Sequence, residues 1–168
     1  MRTLGLLAGA ALLLAACGGG QQPEPLTISG VTVQADLPAV GSPQAVAYWQ
    51  NLDEDLETAI AAQFVGRIDP MGKQITVDVD EISLTTPYAA GATAETARLA
   101  GTVTLVNPDG TNAAVYNVTA TSADVVTYLP QGSDIVAIQP TSAEYYRAIV
   151  QAFARGTAQT LTAGPKTP

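Results

Sequence analysis

Residues 98–122 read RLAGTVTLVNPDGTNAAVYNVTATS, and this stretch sets the fold. Leu99, Gly101, Val103 and Leu105 alternate with Arg98, Ala100, Thr102 and Thr104. That two-residue period belongs to a strand with one face buried. Asn107-Pro108-Asp109-Gly110 follows, with Asn, Pro and Gly at the first, second and fourth positions of a type I turn, and Gly110 is free to take positive φ as a bulge residue. Residues 113–122 run back, with Ala114, Tyr116, Val118 and Ala120 on one face. Strands joined by so short a turn are antiparallel neighbours.

Upstream, residues 74–86 form another strand, but its apolar residues change parity. Ile75, Val77 and Val79 are odd, whereas Ile82 and Leu84 are even. One face holds both sets only if an extra residue intervenes, so a β-bulge is expected near Asp80-Glu81. Residues 87–96, PYAAGATAET, read as a small loop, and residues 67–73 as a turn punctuated by Asp69-Pro70 and Gly72. The first strand covers residues 26–37, where Val31, Val33 and Ala35 alternate with Thr32, Gln34 and Asp36.

Two segments have helical spacing instead. Ser42-Pro43 supplies a cap and a first-turn proline. Val46, Trp49, Leu52, Leu56, Ile60 and Phe64 then recur every three or four residues as one apolar stripe. Asp53, Glu54, Asp55 and Glu57 crowd the remainder and read as a solvated face. A calcium loop needs alternating oxygens around a glycine turn, which a helix without glycine does not offer. The second helix starts at Thr141, where Thr141-x-x-Glu144 matches a capping box. Its stripe is Tyr145, Tyr146, Ile149, Val150 and Phe153, Gly156 weakens its middle, and Gly164-Pro165 ends it. Between hairpin and helix, residues 123–140 are apolar yet broken by Pro130 and Gly132, and read as strand continuation followed by a packed loop. Tyr128, Leu129, Ile135, Val136 and Ile138 form a candidate partner surface there, or else cover the open edge of the core.

The order strand, helix, three strands, helix predicts an α+β two-layer sandwich. A mainly antiparallel sheet of about four strands would carry both long helices on one face. Thr32, Thr76, Asp78, Thr102, Thr104, Asn117 and Thr119 would then lie on the wet face.

The N-terminus supplies an address. Met1-Arg2-Thr3 carries one charge, Leu4 to Leu14 is apolar, and Leu14-Ala15-Ala16-Cys17 closes the segment with the single cysteine of the chain. An apolar run of this length is short for a membrane span, which needs about 20 residues, and has the layout of a signal peptide. The four residues resemble the lipobox of bacterial lipoproteins. That resemblance implies cleavage before Cys17, a thioether to diacylglycerol at its sulfur, and acylation of its amine. Gly18 stands where an Asp resembles an inner-membrane retention signal, which implies an outer-membrane anchor facing the periplasm. The domain plan is then a signal peptide over 1–16, the lipidated cysteine with a flexible tether over 17–25, one α+β domain over 26–164 and a tail over 165–168. The element order also resembles small envelope lipoproteins with a βαβββα unit, among them auxiliary lipoproteins of ABC transport systems and the curli-secretion family.

Removing 16 of the 168 residues leaves 152, enough for one packed domain. All 15 acidic residues but only six of the seven basic ones follow Cys17, a net side-chain charge of −9 that disfavours binding nucleic acid or an anionic membrane surface through a basic patch. With no histidine and one cysteine, no disulfide within the chain, metal site or cofactor is expected. Nucleophilic catalysis needs a base beside the nucleophile, and Lys73 and Lys166 stand in no Ser-x-x-Lys pattern. Asp78 and Asp80 share a solvent-facing side rather than forming an acid–base pair. The sequon Asn117-Val118-Thr119 lies mid-strand, and the triplet Gly18 to Gly20 precedes the fold as a linker. The expectation is a non-catalytic, lipid-anchored envelope module that binds another envelope protein. The alternative is a binding protein for a small hydrophobic ligand or lipid.

Overall fold

The computed structural model describes residues 25–35, 49–83, 97–135 and 137–164. Cys17, the tether, the helix start expected at Ser42-Pro43, the 87–96 loop and Val136 lie outside them, and the described helix begins only at Leu52, after a turn at Gln50-Asn51. The described elements are β1 (Ile28–Ala35), α1 (Leu52–Ala62), β2 (Lys73–Ser83), β3 (Arg98–Val106), β4 (Asn112–Thr121), α2 (Ser122–Val125), a 3₁₀ turn (Val126–Tyr128) and α3 (Ala143–Ala163).

The strands form one sheet in the order β1-β2-β3-β4. β2, β3 and β4 are an antiparallel meander, and β1 adds to β2 in parallel, so the α+β sheet is mixed. Parallel neighbours need a crossover, and α1 provides it. The turn after β3 closes through Gly110 N–H donating to the Asn107 carbonyl at 2.9 Å, with Gly110 at φ 83°. The register of β2 against β3 slips between Asp78 and Glu81, where the change of parity places it. Gly101 faces the slip: a Cβ there would lie 2.6 Å from the Asp78 carbonyl oxygen. The bulge brings the β2 backbone so close that only glycine fits opposite.

α1 packs on β1, α3 on β4, and the helices on each other, all over one face of the sheet. Trp49, Leu52, Leu56, Ile60 and Phe64 from the first stripe and Tyr145, Ile149 and Phe153 from the second are fully buried against Ile75, Val77, Leu99 and Val103. The opposite sheet face carries exposed Thr32, Asp78, Asn117 and Thr119 and half-buried Thr76, Thr102 and Thr104. Polar bonds link it, with Gln74 Nε2 donating to Thr32 Oγ1 at 3.0 Å and Thr102 Oγ1 to Asp80 Oδ2 at 2.8 Å.

Three local expectations change. Residues 122–128 are not strand continuation but α2 and a 3₁₀ turn, because Asp124 turns the chain by accepting from the Thr121 N–H at 2.8 Å. The cap of α3 is Ser142 rather than Thr141: its hydroxyl accepts from the Tyr145 N–H at 3.2 Å. The acidic side of α1 is not wholly given to solvent. Glu57 accepts from the Val33 N–H at 2.9 Å, satisfying a donor on the free edge of β1, and Asp55 accepts from the Tyr146 hydroxyl at 2.5 Å.

The sheet has two distinct ends. At one, Ile28 pairs with Lys73, Gln74 with Val106, and Val106 with Asn112. At the other, Ala35 lies beside Val79 and Arg98 beside Thr121, and the Tyr145 hydroxyl donates to the Ala97 carbonyl at 3.3 Å. Eight residues of strand separate the ends by about 25 Å.

Candidate functional site

Where the chain comes in from the tether, it is tied to residues 63–72, the connection from α1 to β2. Ile28 N–H donates to the Arg67 carbonyl at 2.9 Å, and its own carbonyl accepts from Asp69 N–H at 2.8 Å. Lys73 N–H donates to the Thr27 carbonyl at 3.0 Å. Gly72 lies against Ile28, where a Cβ would come within 2.6 Å of the Ile28 carbonyl carbon. The connection is also braced from within. Met71 N–H donates to Asp69 Oδ1 at 2.8 Å, and Arg67 donates through Nη2 to the Gln63 carbonyl at 3.0 Å while its guanidinium sits 4.8 Å over the Phe64 ring.

This braced segment presents Val65, Ile68 and Met71 to solvent, 78%, 60% and 77% exposed. Spacing alone identified a turn here. Apolar residues in a turn with no core-facing period were the available signal, but exposure is a property of the packed molecule.

The candidate partner segment begins and ends at the opposite end of the sheet. Tyr128, Leu129, Ile135 and Ile138 are half-buried and pack against the core. Val136 lies outside the described residues. Val126 beside them is 51% exposed. A surface cavity of about 300 Å³ runs along this segment, lined by Tyr128, Pro130, Glu144, Arg147, Ala148 and Gln151.

A third feature is the groove between α1 and α3, about 380 Å³, with Ala59, Ala62, Tyr146 and Val150 in its lining. Tyr146 links groove and core. Its ring meets Trp49 edge-on at 5.1 Å between centroids, and its hydroxyl reaches Asp55. Burial, then the bond to the Asp55 carboxylate, pushes the Tyr146 phenol above its usual pKa, and burial does the same for Tyr145. Both stay neutral at any physiological pH. Among the described residues no three Cys, Asp or Glu side chains group as a metal site, and no helix is long and apolar enough to cross a membrane.

No protein-family model matches the chain, and no curated protein matches it. Five solved chains are similar, three of them as follows. A lipoprotein candidate from Caulobacter crescentus CB15 shares 14% identity over 80% of this chain and 89% of its own, with a TM-score of 0.42. A point variant of the PelC dodecamer from Paraburkholderia phytofirmans shares 13% identity over 74% of this chain and 86% of its own, at 0.39. An uncharacterized protein shares 15% identity over 80% and 82%, at 0.30. At such low identity and TM-score, function has to be read from the chain's own residues.

Proposed function

We propose that this chain is a membrane-anchored, non-catalytic lipoprotein of the bacterial envelope that acts as a protein-binding accessory or assembly module of a transport or secretion system. The observation that carries the reading is Leu14-Ala15-Ala16-Cys17 followed by a short tether into a folded domain. Lipid on Cys17, with a second chain on its amine, gives stable anchorage where one chain alone holds marginally. The anchor is outer-membrane and faces the periplasm. The partner surface is the apolar segment with Tyr128, Leu129, Ile135, Val136 and Ile138, a reading supported by the position of Tyr128, Leu129, Ile135 and Ile138 at the end of the sheet about 25 Å from where the chain enters it. A photocrosslinking side chain at Val126, exposed beside that segment, should capture one specific envelope protein from intact membranes. Capture of none across several growth conditions, by a protein verified as present and folded, contradicts the reading.

One observation favours a small hydrophobic ligand instead: the groove between α1 and α3, with Ala59, Ala62 and Val150 in its wall. Native mass spectrometry of residues 26–164 separates the two. A retained lipid-sized adduct lost on Ala59→Glu supports the ligand, and a bare domain removes it.

A further inference from the structure

We propose that the connection between α1 and β2 is a second membrane contact, with Val65, Ile68 and Met71 seated in the lipid interface beside the anchor. The inference rests on the lipid-anchored reading of Cys17.

These three residues are out of keeping with the rest of the described surface. Five large apolar side chains are strongly exposed among the described residues, and three of them fall within seven positions of sequence. Exposed apolar side chains grouped on one short, braced connection are the kind of feature that marks a contact. Its location selects the occupant. Ile28, three residues beyond the end of the tether, is hydrogen-bonded on both sides to this same connection, at Arg67 and Asp69. As a Gly-rich coil, eight residues such as 18–25 average on the order of 15 Å end to end and at full extension span about 29 Å at most, so the connection is held near the headgroups. Apolar side chains at an interface bury about 5–10 Å deep, a comparable distance.

Charge permits the placement. The molecule is acidic, with 15 carboxylates against seven basic side chains, yet Arg67 lies within the stretch and Lys73 two residues beyond it. Their charges offset the carboxylates at this end, which therefore lacks the acidity that makes the rest of the chain repel anionic headgroups. Among the described residues two carboxylates share this end: exposed Asp69 accepts from the Met71 N–H, and Asp109 accepts from Thr111 N–H and hydroxyl in the β3–β4 turn. The rigidity of the segment matters as well. Bonded to β1 and braced through Phe64, it transmits its seating to the whole sheet. Two contacts, lipid and connection, fix a direction that a single flexible tether leaves free. The long axis then stands away from the membrane and carries residues 126–138 outward.

The full-length protein offers a direct test, because lipidation consumes its only cysteine and Met71→Cys becomes a unique labelling site. An environment-sensitive dye is placed there in the acylated protein, reconstituted in vesicles of phosphatidylethanolamine and phosphatidylglycerol, with Val126→Cys as the distant control. At residue 71 the emission should shift to the blue and be quenched by nitroxide-labelled lipid, and at residue 126 neither should occur. Water-like emission at 71 in a protein whose acyl mass is confirmed overturns the contact while leaving the anchor standing. A blue shift at 71 without quenching by lipid identifies a second copy as the occupant and overturns it too. Quenching at both positions means the domain lies flat. Absence of acyl mass at Cys17 removes the anchored reading, and the orientation with it.

Discussion

Thr157 and Gly156 are adjacent in α3 and fail to suit it in opposite ways. The Thr157 hydroxyl is fully buried with no hydrogen-bond partner among the described residues. An unmatched buried hydroxyl costs about 1–3 kcal/mol, which an isosteric apolar side chain avoids. Thr157→Val is therefore expected to raise the unfolding free energy by about 1 kcal/mol in urea titration. At Gly156 an added Cβ would sit 3.6 Å from a Val118 methyl, an ordinary contact. Gly156→Ala should gain about 0.5–1 kcal/mol from helix propensity, and a loss there would mean that α3 needs closer approach to β4 than its geometry shows. The two tyrosines set the alkaline limit. Their phenols are raised in the fold above the value of about 10 that holds in the unfolded chain. The neutral form is thus favoured on folding, and the resulting stability is complete below about pH 10 and declines as pH rises beyond it. Tyr146→Phe should soften that decline in pH-dependent thermal melts while losing about 1 kcal/mol at neutral pH with the bond to Asp55.

At the scale of elements, the bulge and the glycine opposite it act together. A Cβ on Gly101 meets the Asp78 carbonyl oxygen at 2.6 Å, which backbone on both strands cannot relieve. Gly101→Ala is expected to cost about 2 kcal/mol or more, read by chemical denaturation, far beyond its intrinsic strand preference. The connection from α1 to β2 should behave in the opposite sense. Val65→Ser and Met71→Ser touch exposed side chains and should leave stability within about 0.5 kcal/mol, so any membrane phenotype they show is not one of folding. The same elements show what spacing conveys. The hairpin, both helical stripes and the bulge were legible because each depends on which face is buried, and burial imposes a period. The direction of β1 was not, since parallel and antiparallel strands alternate alike; the crossover through α1 decides it. Residues 122–128 were missed because one side-chain bond, Asp124 to the Thr121 N–H, ends the strand, and a single bond leaves no period. The exposed cluster was hidden for the same reason: nothing in V-G-R-I-D-P-M states which side chains find no cover.

On the proposed reading, the whole molecule divides its tasks along the sheet. The chain arrives from Cys17 at one end, where β1 is bonded to an apolar connection, and the segment with Tyr128, Leu129, Ile135 and Ile138 lies at the other. The fold between them is a packed spacer about 25 Å long. In this account Cys17 carries the decisive function, since anchorage puts both ends to use. Replacing it should change location without changing the domain. The measurement that tests this most directly is mass spectrometry of the N-terminal peptide from protein in the membrane fraction, beside fractionation of Cys17→Ser. The account predicts a mature chain beginning at Cys17 with diacylglycerol on its sulfur, and release of a folded Cys17→Ser protein from the membrane. An unmodified Cys17 in a protein that stays membrane-bound would contradict it.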